Sequence, residues 1–261
     1  AEIAIVNTCG FIEDAKKEAI DNIIETAELK NTGKLEKLIV TGCLSQRYKE
    51  EILELFPEVD AVVGVFDFDK IDRIVASDER RTYTSSLKLE NFDDMPRLQA
   101  TPFYTAYLKI AEGCDNCCTY CAIPKIRGRM RSRNPDSLIR EAEELAANGV
   151  KELIITAQDT SRYGIDLYGK PALSPLLKRL SEISGIEWIR LHYLYPEMVT
   201  DELIYTIAEN DKILNYFDIP IQHINDRILK LMNRHSDKKT ITERIAKIRA
   251  EIPDACLRTT V

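Results

Sequence analysis

The stretch YTAYLKIAEGCDNCCTYC, Tyr104–Cys121, runs from a strand-like segment straight into four of the chain's seven cysteines. Cys114, Cys118 and Cys121 stand as C-x3-C-x2-C, and Cys117 falls outside that spacing. Three thiolates on one short loop suit three irons of a 4Fe-4S cubane and leave the fourth iron open to a small molecule. The competing reading is zinc, which takes four N or S ligands, usually as two separated pairs. No His or further Cys follows within seventy residues of Cys121, so a local zinc site would need Cys117 as its fourth ligand. The cluster reading is the better fit to the spacing.

Outward from this loop, strand-like and helix-like segments alternate in both directions. On the carboxy-terminal side, ELIITAQ, EWIRLHYL, NYFDIPIQ and ACLRTTV read as strands. Helical spacing covers Pro135–Asn148, Ser174–Ile183, Thr200–Glu209, Asp226–Met232 and Lys239–Glu251. Five βα steps predict a partial (βα) TIM-like barrel over 103–261, with the end of the barrel missing. On the amino-terminal side, EIAIVN, LIVTGC and AVVGV alternate with helices over Phe11–Lys30, from Gln46 after a Ser45 cap, and over DFDKIDRIV. That pattern predicts a parallel sheet in a three-layer α/β sandwich, partial, over 1–76. Residues 77–102 lose the periodicity and read as a linker. The chain opens without Met inside one apolar run and stops inside another, so both ends read as cut edges.

Composition narrows the classes. With 44% hydrophobic and 30% charged residues the chain reads as globular, and no run is long and apolar enough to span a membrane. The net charge of −7 is uneven: residues 1–100 hold 13 Lys/Arg against 21 Asp/Glu, and 101–261 hold 23 against 22. An acidic first domain suits a basic protein partner better than a phosphate backbone, although a solvated surface explains it equally well. An odd count of seven cysteines, four of them tightly clustered, without an export signal argues against a disulfide framework and for a metal or cluster in a reducing cytoplasm.

The motif, its place after the first barrel strand, and Tyr120 before the last Cys resemble the radical S-adenosylmethionine enzymes. The resemblance implies that S-adenosyl-L-methionine chelates the open iron and is cleaved reductively to a 5′-deoxyadenosyl radical, with Tyr120 beside the adenine. Two earlier cysteines narrow it further. Cys9 in VNTCG and Cys43 in VTGCL each follow a strand, and the carboxyl ends of parallel strands share one edge of a sheet. NTCGFI and TGCL are similar to segments of the methylthiotransferases, which place an amino-terminal cluster domain before the radical barrel. That implies a second 4Fe-4S cluster held by Cys9, Cys43 and a third Cys before Ala1.

Within that family, AQDTSRYGIDLYG, RLHYLYP and DIPIQH resemble the branch that acts on an aspartate of ribosomal protein S-twelve (RimO type). The resemblance implies a methylthio group added to the aspartate β-carbon, with an external electron donor and sulfur source. A branch acting on tRNA adenosine is the alternative, and a non-catalytic zinc-stabilised RNA-binding module the remote one. Barrel-strand ends single out Gln158, Asp159, His192, Tyr193, Tyr195, Gln222 and His223. Of these, Gln158, Asp159, His192 and Gln222 join Tyr120 as expected S-adenosylmethionine contacts. Asp159 reads equally well as a helix cap, and each His alone as a core residue. Tyr195 is an expected substrate contact. Lys125, Arg127, Arg129, Arg131 and Arg133 fall on one side if their loop is extended. Arg127 and Arg133, in the RG and SR that match the family, are expected contacts to S-adenosylmethionine or a substrate carboxylate.

Overall fold

A computed structural model describes residues 2–85, 93 and 97–261 of the chain. It divides into two compact units, Ala1–Met95 with Cys121–Gly128, and Pro96–Tyr120 with Arg129–Val261.

In the first unit, β1 (Ile3–Thr8), β2 (Lys37–Gly42), β3 (Ala61–Val63) and β4 (Arg81–Tyr83) form one parallel sheet in that order. Between them run α1 (Glu13–Asn31), α2 (Cys43–Tyr48), α3 (Glu50–Leu55) and α4 (Ile71–Val75). Side chains alternate across a strand, so each strand feeds two layers. Leu38, Val40 and Val62 pack with Ala19, Ile23 and Ala27 of α1 and Ile52 of α3. Ile39, Ala61 and Val63 pack on the other face with Ile74 of α4. This is the three-layer sandwich expected of alternating strands and helices. Each such fully buried aliphatic side chain contributes about 1.5–3 kcal/mol, and the sheet is held mainly by these layers.

Two local expectations fail here. Ser45 does not cap a helix: α2 begins two residues earlier, directly after the sheet, and Ser45 is buried inside it. The cause is Gly42, whose φ of 103° turns the chain at once. A Cβ there would run into the Thr8 carbonyl, so only glycine allows the approach. The single helix read after Ser45 is also broken at Lys49, whose φ is 43°. The stretch read as a linker contributes β4, which pairs with β3 in register Ala61↔Arg81. Residues 86–92 and 94–96 of that stretch lie outside the described residues.

α5 (Ile123–Arg127) completes this unit, with a proline in its first turn, where a missing N–H costs nothing. A helix here overturns the extended reading of the basic run. Lys125 and Arg127 lie on α5, whereas Arg131 lies on a short strand.

The second unit opens with β5 (Thr105–Lys109), followed by β6 (Ala111–Glu112) and β7 (Arg131–Ser132), which pair antiparallel. Then come α6 (Pro135–Ala147), β8 (Glu152–Thr156), α7 (Ile165–Tyr168), α8 (Leu173–Ser181) and β9 (Trp188–Leu191). α9 (Asp201–Ala208), β10 (Tyr216–Asp218), α10 (Asp226–Leu231), α11 (Lys238–Glu251) and β11 (Cys256–Arg258) complete it. β5, β8 and β9 are parallel neighbours, as are β10 and β11. Leu194 N–H donates to the Asp218 carbonyl and joins the two sets, giving five sequential parallel strands linked by helices. Side-chain caps start the helices where the sequence places them: Asn134 accepts from Asp136 N–H, Thr200 from Leu203 N–H, and Asp237 from Thr240 N–H.

Ala106, Leu108, Leu153, Ile155, Ile189 and Leu191 point to the helices and are buried. The alternate positions, Tyr107, Ile154, Trp188 and Arg190, lie on the opposite face, in register across the three strands. That face is polar. Arg190 pairs with Glu152 at 2.7 Å and lies over the Tyr216 ring at 5.1 Å, and Arg258 pairs with Asp218 at 3.0 Å. Among the described residues no helix is long and apolar enough to cross a membrane.

Candidate functional site

Strand β5 ends at Lys109 and the short β6 at Glu112, and the cysteine loop leaves from Gly113. Gly113 has a φ of 85°, and its N–H donates to Gln158 Oε1 at 2.6 Å, tying the loop to the end of β8. Cys114 and Cys118 turn inward and are each 6% exposed. Cys117 is exposed between them with a φ of 49°, a conformation that costs a non-glycine residue energy. The left-handed turn at Cys117 carries its side chain out while the flanking thiols point in. Cys121 is half-buried and falls in the first unit.

The inward thiols are held by N–H donors and ringed by buried polar groups. Asn116, 1% exposed, donates from Nδ2 to Cys114 Sγ at 3.4 Å and to Asp159 Oδ2 at 2.7 Å. Asp159, fully buried, also accepts from Ser161 Oγ at 2.6 Å and faces Arg162 Nε at 3.3 Å. Ser161 Oγ in turn accepts from the Tyr195 N–H at 3.1 Å. Burial pushes the Asp159 carboxyl above its ordinary range, against the bonds from Ser161 and Asn116 and the charge of Arg162. Burial likewise pushes the Cys114 thiol up to about 11; the Asn116 donors oppose this, and the Asp159 and Cys118 charges add to it. Asp159 is thus committed to the floor of the loop rather than to a terminal cap.

The turn after α10 grips the same loop from the other side. Thr119 donates from its N–H to the Met232 carbonyl at 3.1 Å and from Oγ1 to the Leu231 carbonyl at 3.2 Å. Asn233, with a φ of 54°, donates from Nδ2 to the Cys117 carbonyl at 2.9 Å. Arg234, 7% exposed, reaches Cys118 Sγ at 3.9 Å and lies over the Tyr195 ring at 4.2 Å. Tyr195 Oη stands 4.0 Å from Cys118 Sγ, and burial raises its phenol pKa, with the two thiols adding to the rise.

The other expected contacts sit as follows. Tyr120 is half exposed. His192 is half-buried, its ring 6.0 Å from that of Tyr216, and burial lowers its pKa. Gln222 is half-buried with a φ of 69°, and His223 is exposed, accepting from the Asn225 N–H at 2.9 Å. Tyr193 has a φ of 59°. Four of the five non-glycine residues with positive φ among those described are thus Cys117, Tyr193, Gln222 and Asn233. Strain of this kind gathers at functional sites. Arg133 is turned into the protein: it donates to Glu141 Oε2 at 2.6 Å, the Lys109 carbonyl at 3.1 Å and Ser137 Oγ at 3.2 Å. Its guanidinium is engaged by Glu141 and Ser137 of α6.

In the first unit, register pairs Thr8 with Gly42, so Cys9 and Cys43 leave adjacent strand ends. Their loops touch: a Cβ on Gly10 would lie 2.8 Å from Leu44 N, and Arg47 donates to the Gly10 carbonyl at 3.0 Å. Cys43 is buried with Val65, Phe66 and Ile126, and Cys9 is exposed. Arg127 on α5 donates from Nη2 to Cys43 Sγ at 3.2 Å, a partner that sequence spacing gave no hint of. Asn116, Asn233 and Arg234 were also missed. The signal available for Asn116 was its place inside the motif, and none marked the other two.

Among the described residues no group of three or more His, Cys, Asp or Glu side chains is set to hold a metal ion. The donor chemistry nevertheless fits an iron–sulfur cluster: buried thiols with N–H donors aimed at their sulfurs are the setting that such clusters use.

Comparison with known proteins follows the same division. The model for the radical SAM superfamily matches residues 108–261, and that for an uncharacterized protein family, UPF0004, matches residues 1–64. The chain is 54% identical over its whole length to the protein named ribosomal protein uS12 methylthiotransferase RimO of Clostridioides difficile (strain 630), covering 60% of that protein. Proteins of the same name from Clostridium botulinum (strain Eklund 17B / Type B) and Caldicellulosiruptor saccharolyticus are 53% and 52% identical, with 59% and 60% covered. The chain thus spans about 60% of the length of these relatives. Among solved structures it resembles TsrM from Kitasatospora setae, a radical S-adenosylmethionine methyltransferase, with a TM-score of 0.68 at 14% identity over 99% of this chain and 56% of that one. The cobalamin-dependent enzyme OxsB gives 0.63 at 13%, over 99% of this chain and 40% of its own. At that identity the likeness concerns the fold. Five sequential parallel strands, a C-x3-C-x2-C loop after the first and a family match across that whole region leave one assignment: the chain belongs to the radical SAM superfamily.

Proposed function

We propose that the protein containing this chain is a radical S-adenosylmethionine methylthiotransferase that modifies an aspartate of ribosomal protein S-twelve. The observation that carries this reading is the pair of buried thiols, Cys114 and Cys118, at the carboxyl end of the first barrel strand. High identity to proteins named for that reaction supports the acceptor, and the tRNA reading is not favoured.

Cys114, Cys118 and Cys121 would hold one 4Fe-4S cluster, and Cys9 and Cys43 would contribute to a second. A reduced cluster with S-adenosylmethionine supplies a carbon radical, which is needed because an unactivated C–H bond offers no handle to an acid, base or nucleophile. The chain's own residues orient and enclose. Asn116 and Asp159 set the sulfur of Cys114, and Asn233 and Thr119 fix the loop. Tyr195, with Leu194 and Pro196 buried beside it, keeps water from Cys118. Tyr120, Gln158, His192 and Gln222 remain the proposed S-adenosylmethionine contacts, Asp159 a supporting group behind them, and Tyr195 a proposed substrate contact. Arg127, with its bond to Cys43, fits a role at the first cluster better than one at the substrate. The proposed partners are ribosomal protein S-twelve or the small ribosomal subunit, an external electron donor and a sulfur source, in the reducing cytoplasm.

Full-length protein reconstituted without oxygen is expected to form 5′-deoxyadenosine and methionine from S-adenosylmethionine when dithionite is added. Chromatography of the quenched mixture reads both, and their absence in an iron-loaded sample would end this reading.

A further inference from the structure

We infer that Arg234 is a positioning residue whose buried guanidinium holds Cys118 Sγ and makes the iron–sulfur cluster on that loop easier to reduce. The inference rests on the proposed function and concerns this chain's own residues around Cys118.

A guanidinium that is 7% exposed must be balanced, because an unpaired buried cation is costly. Among the described residues the groups around it are the Pro220 carbonyl at 2.6 Å, the Tyr195 ring at 4.2 Å and Cys118 Sγ at 3.9 Å. None of these is a carboxylate. The Pro220 bond and the stacking on Tyr195 fix the guanidinium plane, so the Nη1 aimed at sulfur is not free to swing away. Sulfur carries negative charge when it ligates iron, and it is the one group of the three that can balance the cation. Neighbouring Asn233 donates to the Cys117 carbonyl of the loop, and Thr119 of the loop donates to the Leu231 and Met232 carbonyls, so these bonds hold backbone and not sulfur. The turn after α10 therefore divides its work: its carbonyls and Asn233 clamp the chain, and Arg234 addresses the ligand. A fixed positive charge and an N–H donor at a ligating sulfur favour the more negative, reduced cluster. Nothing in the spacing from Cys118 to Arg234, 116 residues apart, announces the contact.

The test uses full-length protein carrying Cys43→Ala, so that iron reports the Cys114/Cys118/Cys121 cluster, and follows the reduced signal by electron paramagnetic resonance in a redox titration. Arg234→Met is expected to lower the ratio of reduced to oxidised cluster at a fixed potential by about tenfold, which is about 59 mV for one electron. Arg234→Lys, which keeps the charge, is expected to recover most of that shift. A purely structural role would lower iron content but leave the potential of the loaded fraction unchanged, and that result would overturn the inference, as would a Lys variant as low as Met. Should Arg234→Met take up no iron, Arg234→Gln decides in its place: a similar fall supports the charge role, and an unchanged potential rejects it. A parent protein that binds no iron would sink the functional reading itself. A loaded parent whose potential ignores residue 234 would sink this inference alone.

Discussion

Cys118→Ala in full-length, anaerobically reconstituted protein is expected to lose about half of its iron and sulfide, whereas Cys117→Ala keeps all of it. The two residues are adjacent, so the contrast removes any effect of general location. Cys118 is buried, with Tyr195 and Arg234 around its sulfur. Cys117 is exposed, and what the fold uses of it is its backbone: a carbonyl that accepts from Asn233 and a left-handed φ. Alanine keeps both of those features. Cys114→Ala should behave like Cys118→Ala. Iron and sulfide analysis with the visible absorption spectrum checks the set. Full iron in Cys118→Ala, or loss in Cys117→Ala, would mean that the ligands are misassigned.

The second large effect is expected at Asp159. Asp159→Ala removes the acceptor for Asn116 Nδ2 and Ser161 Oγ and leaves Arg162 without its carboxylate. Buried donors stripped of their acceptor cost about 1–3 kcal/mol each, so a loss on the order of 3 kcal/mol is expected for the second unit. Asn116 then no longer holds Cys114, and cluster content should fall along with stability. Asp159→Asn keeps an acceptor oxygen and is expected to lose distinctly less. Urea unfolding with iron analysis on the same samples measures both. An alanine variant as stable and as iron-rich as the parent would show that the buried carboxyl is not the floor of the site.

The contrast between these positions shows what the sequence could reveal. The alternation of strands and helices is a local signal, set by burial of one face per element, and it located every barrel strand from β5 to β11 except the short β6 and β7. Cys114, Cys118 and Cys121 stand out in the sequence because the proposed ligand chemistry demands a fixed short spacing, and the fold buries the first two. Cys9 and Cys43 are legible at one remove, since parallel neighbours bring their strand ends together, and the register of Thr8 with Gly42 does so. What failed depends on backbone detail or distant partners. Lys49 and Gly42 re-cut the helices around Ser45 through positive φ, which helical periodicity does not encode. The three residues of β4 are too few to show a period. Pro124 announced the start of α5, and the alternating arginines hid it. Arg133 and Arg127 look alike in sequence, yet one is spent on Glu141 and the other reaches Cys43. Only the fold tells them apart.

The acceptor, an aspartate of a ribosomal protein, can be read in a single assay. Full-length, reconstituted protein is incubated with S-adenosylmethionine, sulfide and dithionite, in one vessel with small ribosomal subunits from cells lacking the modification and in another with unmodified tRNA. Mass spectrometry of the digested protein and RNA then reads the acceptor. The expected result is a gain of one methylthio group on an aspartate of ribosomal protein S-twelve and none on tRNA. A methylthio group found on tRNA adenosine, with S-twelve unchanged, would contradict it.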